Sequence, residues 1–266
     1  MYRARPVHVS TWAIPGLVLA AFVAGAVDAV AGGSGVIAVP ALLATGLPPH
    51  LALGTNKAQG VFGTLASTLR YAHAGLLDRK RARLTFPLGL AGSLCGAALV
   101  LLVPPATLRP VVLVLLVVAA VALALRPRVR IPRAEESRPL GARAPRLTAG
   151  IVALVLGCYD GFFGPGAGTF LILALAFLFG LPLQRASADA KPINFASNLA
   201  AVVLFSARGA VLWKLALPMA AAQFAGAYVG AHLTVRGGDR VVRLVMLAVV
   251  LALVAKLAAD TLPAGR

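Results

Sequence analysis

"AGAVDAVAGGSGVIAVPALLATG" runs from Ala24 to Gly46 in a strongly apolar neighbourhood. It holds one acid, Asp28, followed by Gly32-Gly33-Ser34-Gly35. A charge inside an apolar helix costs about 2.5–3.5 kcal/mol on insertion scales and is by default a functional-site hypothesis. Glycine supplies the positive φ and tight backbone that end a helix. In hydrocarbon, unsatisfied backbone groups cost several kcal/mol each, so broken helices survive only where they line a cavity or lie buried in protein. The stretch therefore reads as a discontinuous membrane helix.

The rest of the chain agrees. Of 266 residues 60% are hydrophobic and 12% charged, with a mean hydropathy of +0.90; soluble domains carry about 25% charged residues. Apolar blocks near the ~20 residues needed to cross a bilayer recur at Trp12–Ala31, Leu84–Val103, Val111–Leu125, Leu147–Phe163, Ile193–Trp213, Leu215–Val235 and Val241–Ala259. The fold class is an all-α polytopic membrane protein. A cleaved signal peptide following Arg3 and Arg5 would leave the remaining spans unexplained.

The net charge of +17 sits in short segments between helices without an aromatic-rich basic face. It fits loop charges that orient membrane proteins, and no nucleic acid is implied. Cys95 and Cys158 lie in apolar blocks without metal-ligand spacing. His50, His73 and His232 are isolated. No catalytic group, metal site or cofactor is expected.

The chain repeats itself. "AGSLCGAAL" (Ala91–Leu99) returns as "AGAYVGAHL" (Ala225–Leu233), 134 residues later, and at the same spacing "LPPHLALGTNK" (Leu47–Lys57) lines up with "LPLQRASADAK" (Leu181–Lys191), Lys57 on Lys191. Arg109 falls on Arg243. "GAVDAVAGGSG" matches "GCYDGFFGPGAG" with Asp28 on Asp160, 132 residues apart. Two homologous halves follow, residues 1–125 and 147–266, joined by a basic, proline-containing linker, 126–146, assigned to the cytoplasm. Each half has a glycine-broken helix and a short piece, Val36–Gly46 or Thr169–Gly180. Those pieces reach roughly 18 Å, short of the ~30 Å hydrocarbon core, as re-entrant or half-crossing helices do. Eight transmembrane helices with parallel repeats and both termini inside are expected. The alternative is five crossings per half with inverted repeats.

A helix that restarts after a break presents free N–H groups and partial positive charge, which attract anions. Breaks at corresponding positions of two halves are the best sequence pointer to a transporter's substrate site. The candidate binding set is Gly32, Gly33, Ser34, Gly35, Thr55, Asn56, Lys57, Gly164, Gly166, Gly168, Lys191 and Asn194, with Gln59 and Asn198 as further hydrogen-bonding groups. Asp28, Asp160 and Asp189 are candidates for ion coupling or for pairing with lysines. By contrast, Gly92/Gly96 and Gly226/Gly230 read as close-packing pairs.

At these motifs the chain resembles the TauE/SafE family of sulfite and organosulfonate exporters. "GAVDAVAGGSGVIAVPALLATGLPPHLALGTNKAQG", "GCYDGFFGPGAGTFL" and "ASADAKPINFASNLAA" carry the resemblance, which extends from about Gly16 to Leu257. It departs at Ser34, where a glycine is common. The resemblance implies a bacterial inner-membrane permease of about eight helices, built from two repeats, for small anions such as sulfite or sulfoacetate. Its partners would be that anion and the lipid bilayer, with a homodimer among the open assemblies. The alternative is a membrane enzyme acting on a lipid-like substrate. It would need a nucleophile with a base or paired acids with a metal.

Overall fold

The computed structural model describes residues 10, 12–124 and 144–261. Most of the expected linker, together with Arg3 and Arg5, lies outside them. The described residues form helices and no strands: α1 (Ala13–Ala31), α2 (Ser34–Ala44), α3 (Pro49–His73), α4 (Arg79–Leu102), α5 (Pro105–Ala124), α6 (Ala144–Phe162), α7 (Ala167–Phe179), α8 (Leu183–Ala207) and α9 (Trp213–Thr261). Helix α9 is interrupted at Gly238, where φ is 59° and ψ −151°.

Local chemistry sets the boundaries. Pro48 and Pro182 precede α3 and α8 in matching extended conformations, and both helices are 25 residues long. Proline fixes φ and needs no donor at a helix start. Asp78 caps α4 by accepting from the Lys80 and Arg81 amides. Positive-φ glycines turn the chain at Gly46, Gly75, Gly180 and Gly209.

Polarity is inverted relative to a soluble protein. Leu99, Leu102, Leu113, Leu147, Leu233 and Leu247 are half exposed or more. Asp28, Lys57, Asp160, Asp189, Lys191 and Asn194 are buried. Such an arrangement is stable when the outer solvent is lipid and the interior holds the polar groups. Helices α1 and α4 are each long and apolar enough to cross a membrane. Helices α3 and α8 have the length, about 37 Å, but carry the buried polar residues.

Close approaches fix the helix directions. A Cβ on Gly92 would meet Leu154 O and one on Gly96 Cys158 O, so α4 runs parallel to α6. Likewise Gly226 lies on Phe22 O and Gly230 on Ala26 O, so α9 runs parallel to α1. These are the glycines that the sequence marks for packing. Gly63 against Gln223 and Arg70 beside His232 align α3 with α9 as well. Gly89 against Ile193 and Ser93 bonded to Ser197 O align α8 with α4. Helices α1 and α3 thus point one way, with α2 returning between them; α4, α6 and α8 point the other. Because α1 and α6 are opposed, these directions differ from the expected parallel halves, while α2 and α7, of 11 and 13 residues, are too short to give the alternative its five crossings per half. Sequence could not decide this, because a returning and a continuing short helix have the same composition.

Candidate functional site

The two glycine breaks touch. Gly32 and Gly33 take φ of 74° and 97°, and Gly164 and Gly166 take 93° and 81°. A Cβ on Gly32 would lie 2.3 Å from Gly168 C, and one on Gly35 3.1 Å from Pro165 N. Thr169 Oγ1 donates to Gly32 O across the junction at 3.3 Å. Two helix starts therefore converge at the protein's centre, and only glycine permits backbones this close.

Around that junction Asp28, Gly33, Ser34, Gly35, Asn56, Lys57, Asp160, Gly164, Gly168, Asn194 and Asn198 line a small polar cavity. Its free room is on the order of one water molecule, so a larger occupant requires the walls to move.

The charges pair crosswise. Lys57 of α3 donates to Asp160 Oδ1 of α6 at 2.6 Å. Lys191 of α8 reaches Asp28 Oδ2 of α1 at 3.1 Å and also donates to the Asp28 carbonyl. Each half supplies the lysine for the other half's acid. All four residues are buried, Lys191 completely. Removing one partner of such a pair strands a charge and costs about 3–5 kcal/mol.

The geometry places the expected residues differently with respect to that cavity. The Gly33 and Ser34 amides are already taken, donating to Asp28 Oδ1 at 3.0 and 3.2 Å. The carboxylate thus caps the α2 start, and those two donors are not free for a ligand. Lys191 sits behind Asp28 and does not line the cavity. Neither do Gly32, Gly166 or Thr55. Thr55 Oγ1 accepts from Leu212 N at 3.2 Å. Asp189 is a charge-pairing residue away from the cavity: it accepts from the Asp78 amide at 2.8 Å and from Arg81 Nη1. The guanidinium of Arg81 also lies over the Phe179 ring, 5.0 Å from its centroid.

Asn198, a hydrogen-bonding group on the α8 face one turn past Asn194, does line the cavity. The i, i+4 spacing of those two asparagines was its signal. Asp160 Oδ2 and Asn194 Oδ1 are buried with no hydrogen-bond partner. Lys57, Asn56, Asn194 and Asn198 thus offer an ammonium and amide groups, a donor set suited to a compact oxyanion.

The profile of the family described as "Sulfite exporter TauE/SafE" matches residues 17–257. The chain is 38% identical over 245 residues to "Probable membrane transporter protein ORF9" of Sinorhizobium sp, covering 92% of each. It is 34% identical over 245 residues to "Probable membrane transporter protein YfcA" of Escherichia coli (strain K12), covering 92% of this chain and 89% of the relative. A "Probable membrane transporter protein" of Haemophilus influenzae is 35% identical over 240 residues, 90% of this chain and 92% of its own. No solved structure matches.

Proposed function

The chain belongs to the sulfite exporter TauE/SafE family, and from that premise we propose that it is a secondary transporter of a small anion. Sulfite, sulfoacetate or a related sulfur-containing or organic anion is the cargo, and the bacterial inner membrane is the site of action. One observation carries the reading: two broken helices meet at a central polar cavity walled by Lys57, Asn56, Asn194 and Asn198 inside an apolar-surfaced protein. A cation and neutral donors in water-poor surroundings favour an anion strongly.

Internal duplication supports the mechanism. Matched boundaries of α3 and α8, and matched glycine contacts on α4–α6 and α9–α1, suit two related halves of opposite orientation. Inverted halves hold a midplane site between them and expose it to each side in turn as one rocks against the other. The small cavity corresponds to a closed state in that cycle. The enzyme alternative gains nothing from the relatives' names, which speak of transport.

The test is flux in proteoliposomes across sulfite, sulfoacetate, sulfate and small carboxylates. Lys57→Ala and Lys191→Ala are expected to lower flux at least tenfold, Lys57 by loss of the ligand's counter-charge and Lys191 by loosening Asp28. The double variant Lys57→Gln with Asp160→Asn removes both charges of one pair while keeping hydrogen-bonding capacity, and controls for folding. Wild-type flux in all of these proteins would remove the charge from the mechanism.

A further inference from the structure

Asp28 and Asp160 stand at corresponding places, yet only one has an oxygen to spare. Asp28 spends Oδ1 on two backbone amides and Oδ2 on Lys191. Asp160 gives Oδ1 to Lys57 and leaves Oδ2 buried without a partner, on the wall of the central cavity. Part of the cause is written in the sequence. The amide five residues after Asp28 belongs to Gly33; five residues after Asp160 stands Pro165, which has no N–H. That oxygen meets the central cavity without a protein donor, so it is the one open to a proton arriving through the cavity.

Resting on the anion-transport reading, we propose that Asp160 is the coupling residue: it takes one proton on Oδ2 as the anion binds and releases it as the anion leaves. Anion and proton then move together, while Asp28, with both oxygens engaged, stays a fixed part of the fold. The step breaks no covalent bond other than the one holding the proton to its water carrier. In the empty site ionised Asp160 neutralises Lys57. Protonation frees the full ammonium charge for the anion, and the anion in turn removes the electrostatic resistance that Lys57 offers to protonation. Linkage makes the two affinities rise together. Sign follows directly: anion affinity increases as pH falls, by up to about tenfold per pH unit where one proton is taken up.

The neighbours leave Asp160 as the group that changes. From α3 it faces Lys57, and across the cavity lie Asp28 of α1 and Lys191 of α8, already paired with each other. On the adjoining faces α4 presents Ser93 and α7 Thr169, neither of which titrates. Tyr159, next on α6, donates its hydroxyl to Pro165 O at 2.8 Å.

The experiment uses the full chain in proteoliposomes holding a pH-sensitive dye, with radiolabelled sulfite, sulfoacetate and sulfate as probes. Wild-type uptake is expected to acidify the lumen and to strengthen as external pH falls. In Asp160→Asn the lumen no longer acidifies, and the anion exchange that remains does not depend on pH. Pro165→Ala keeps every charge and restores an amide at the place matching Gly33. A hydrogen bond to the charged form favours that form, so the pH midpoint of its uptake should move toward acid. Anion flux without proton movement, or acidification that survives Asp160→Asn, overturns the coupling and leaves the transport reading standing. If Asp160→Asn does not fold, an unmoved midpoint in Pro165→Ala overturns it alone. No flux of any probe in the wild type removes the transport reading, and this inference with it.

Discussion

Gly32 and Gly33 sit side by side with positive φ, yet a methyl group would meet different fates at the two positions. At Gly32 it would lie 2.3 Å from Gly168 C and 2.4 Å from Thr169 N, both backbone atoms that cannot swing aside. At Gly33 its nearest neighbour is Thr169 Oγ1 at 3.4 Å, an ordinary contact. Gly33→Ala therefore pays chiefly for left-handed backbone, about 1–2 kcal/mol. Gly32→Ala meets a backbone essentially reserved for glycine, φ 74° with ψ 163°, and must also force the two breaks apart. The expected outcome is a Gly33→Ala protein that purifies as a sharp peak in detergent with a lowered melting temperature. Gly32→Ala should yield aggregated or degraded protein. Equal behaviour of the two would mean that the breaks do not touch as described.

Among elements, the tightest seams are α4 on α6 and α1 on α9, and both depend on glycine. A Cβ on Gly96 would stand 1.9 Å from Cys158 O, and on Gly230 2.3 Å from Ala26 O. Alanine at either should push the helices apart and cost about 1–3 kcal/mol by overpacking, read as a fall in melting temperature in detergent. Gly16, in α1 with nothing within 4 Å of its would-be Cβ, is the control: alanine there should leave stability level or raise it slightly. These seams were legible in the sequence, because glycines spaced four apart in apolar helices have few other uses. The breaks were legible for a related reason, since Gly32–Gly35 and Gly164–Gly168 could not continue a helix. The crosswise pairs were not. Lys57 lies 103 residues from Asp160, and each acid had two lysines on offer until packing chose between them. Asp189 likewise resembled a cavity acid until the α3–α4 turn brought Arg81 to it; the run of basic residues after Asp78 was the only hint.

At the scale of the whole molecule, helix direction becomes a statement about the membrane. Helix α3 ends beside the basic turn holding Arg79, Lys80, Arg81 and Arg83, and α9, parallel to it, reaches Gly238 among Arg236, Arg240 and Arg243. Helix α5 follows α4 through the short Val103–Pro104 turn, so its C-terminal end falls at that same end of the protein. The opposite end carries the start of α1, the α2–α3 turn and the α8–α9 turn, with only Arg208 and Lys214 near the last of these. By the preference of positive residues for the cytoplasmic side, the start of α1 is expected on the far side, whereas Arg3 and Arg5 lead to the expectation of both termini inside. Arg3 and Arg5 weigh less in that preference than the two basic segments, Arg79–Arg83 and Arg236–Arg243, gathered at one end. Single cysteines decide it, in a background with Cys95 and Cys158 replaced by alanine. A membrane-impermeant maleimide added to intact cells should label Ala207→Cys, which is exposed at the end of α8, and should spare Lys80→Cys until the membrane is opened. The reverse pattern would place the basic end outside. Labelling of both in intact cells would put the two turns on one side of the bilayer, which opposed halves do not allow.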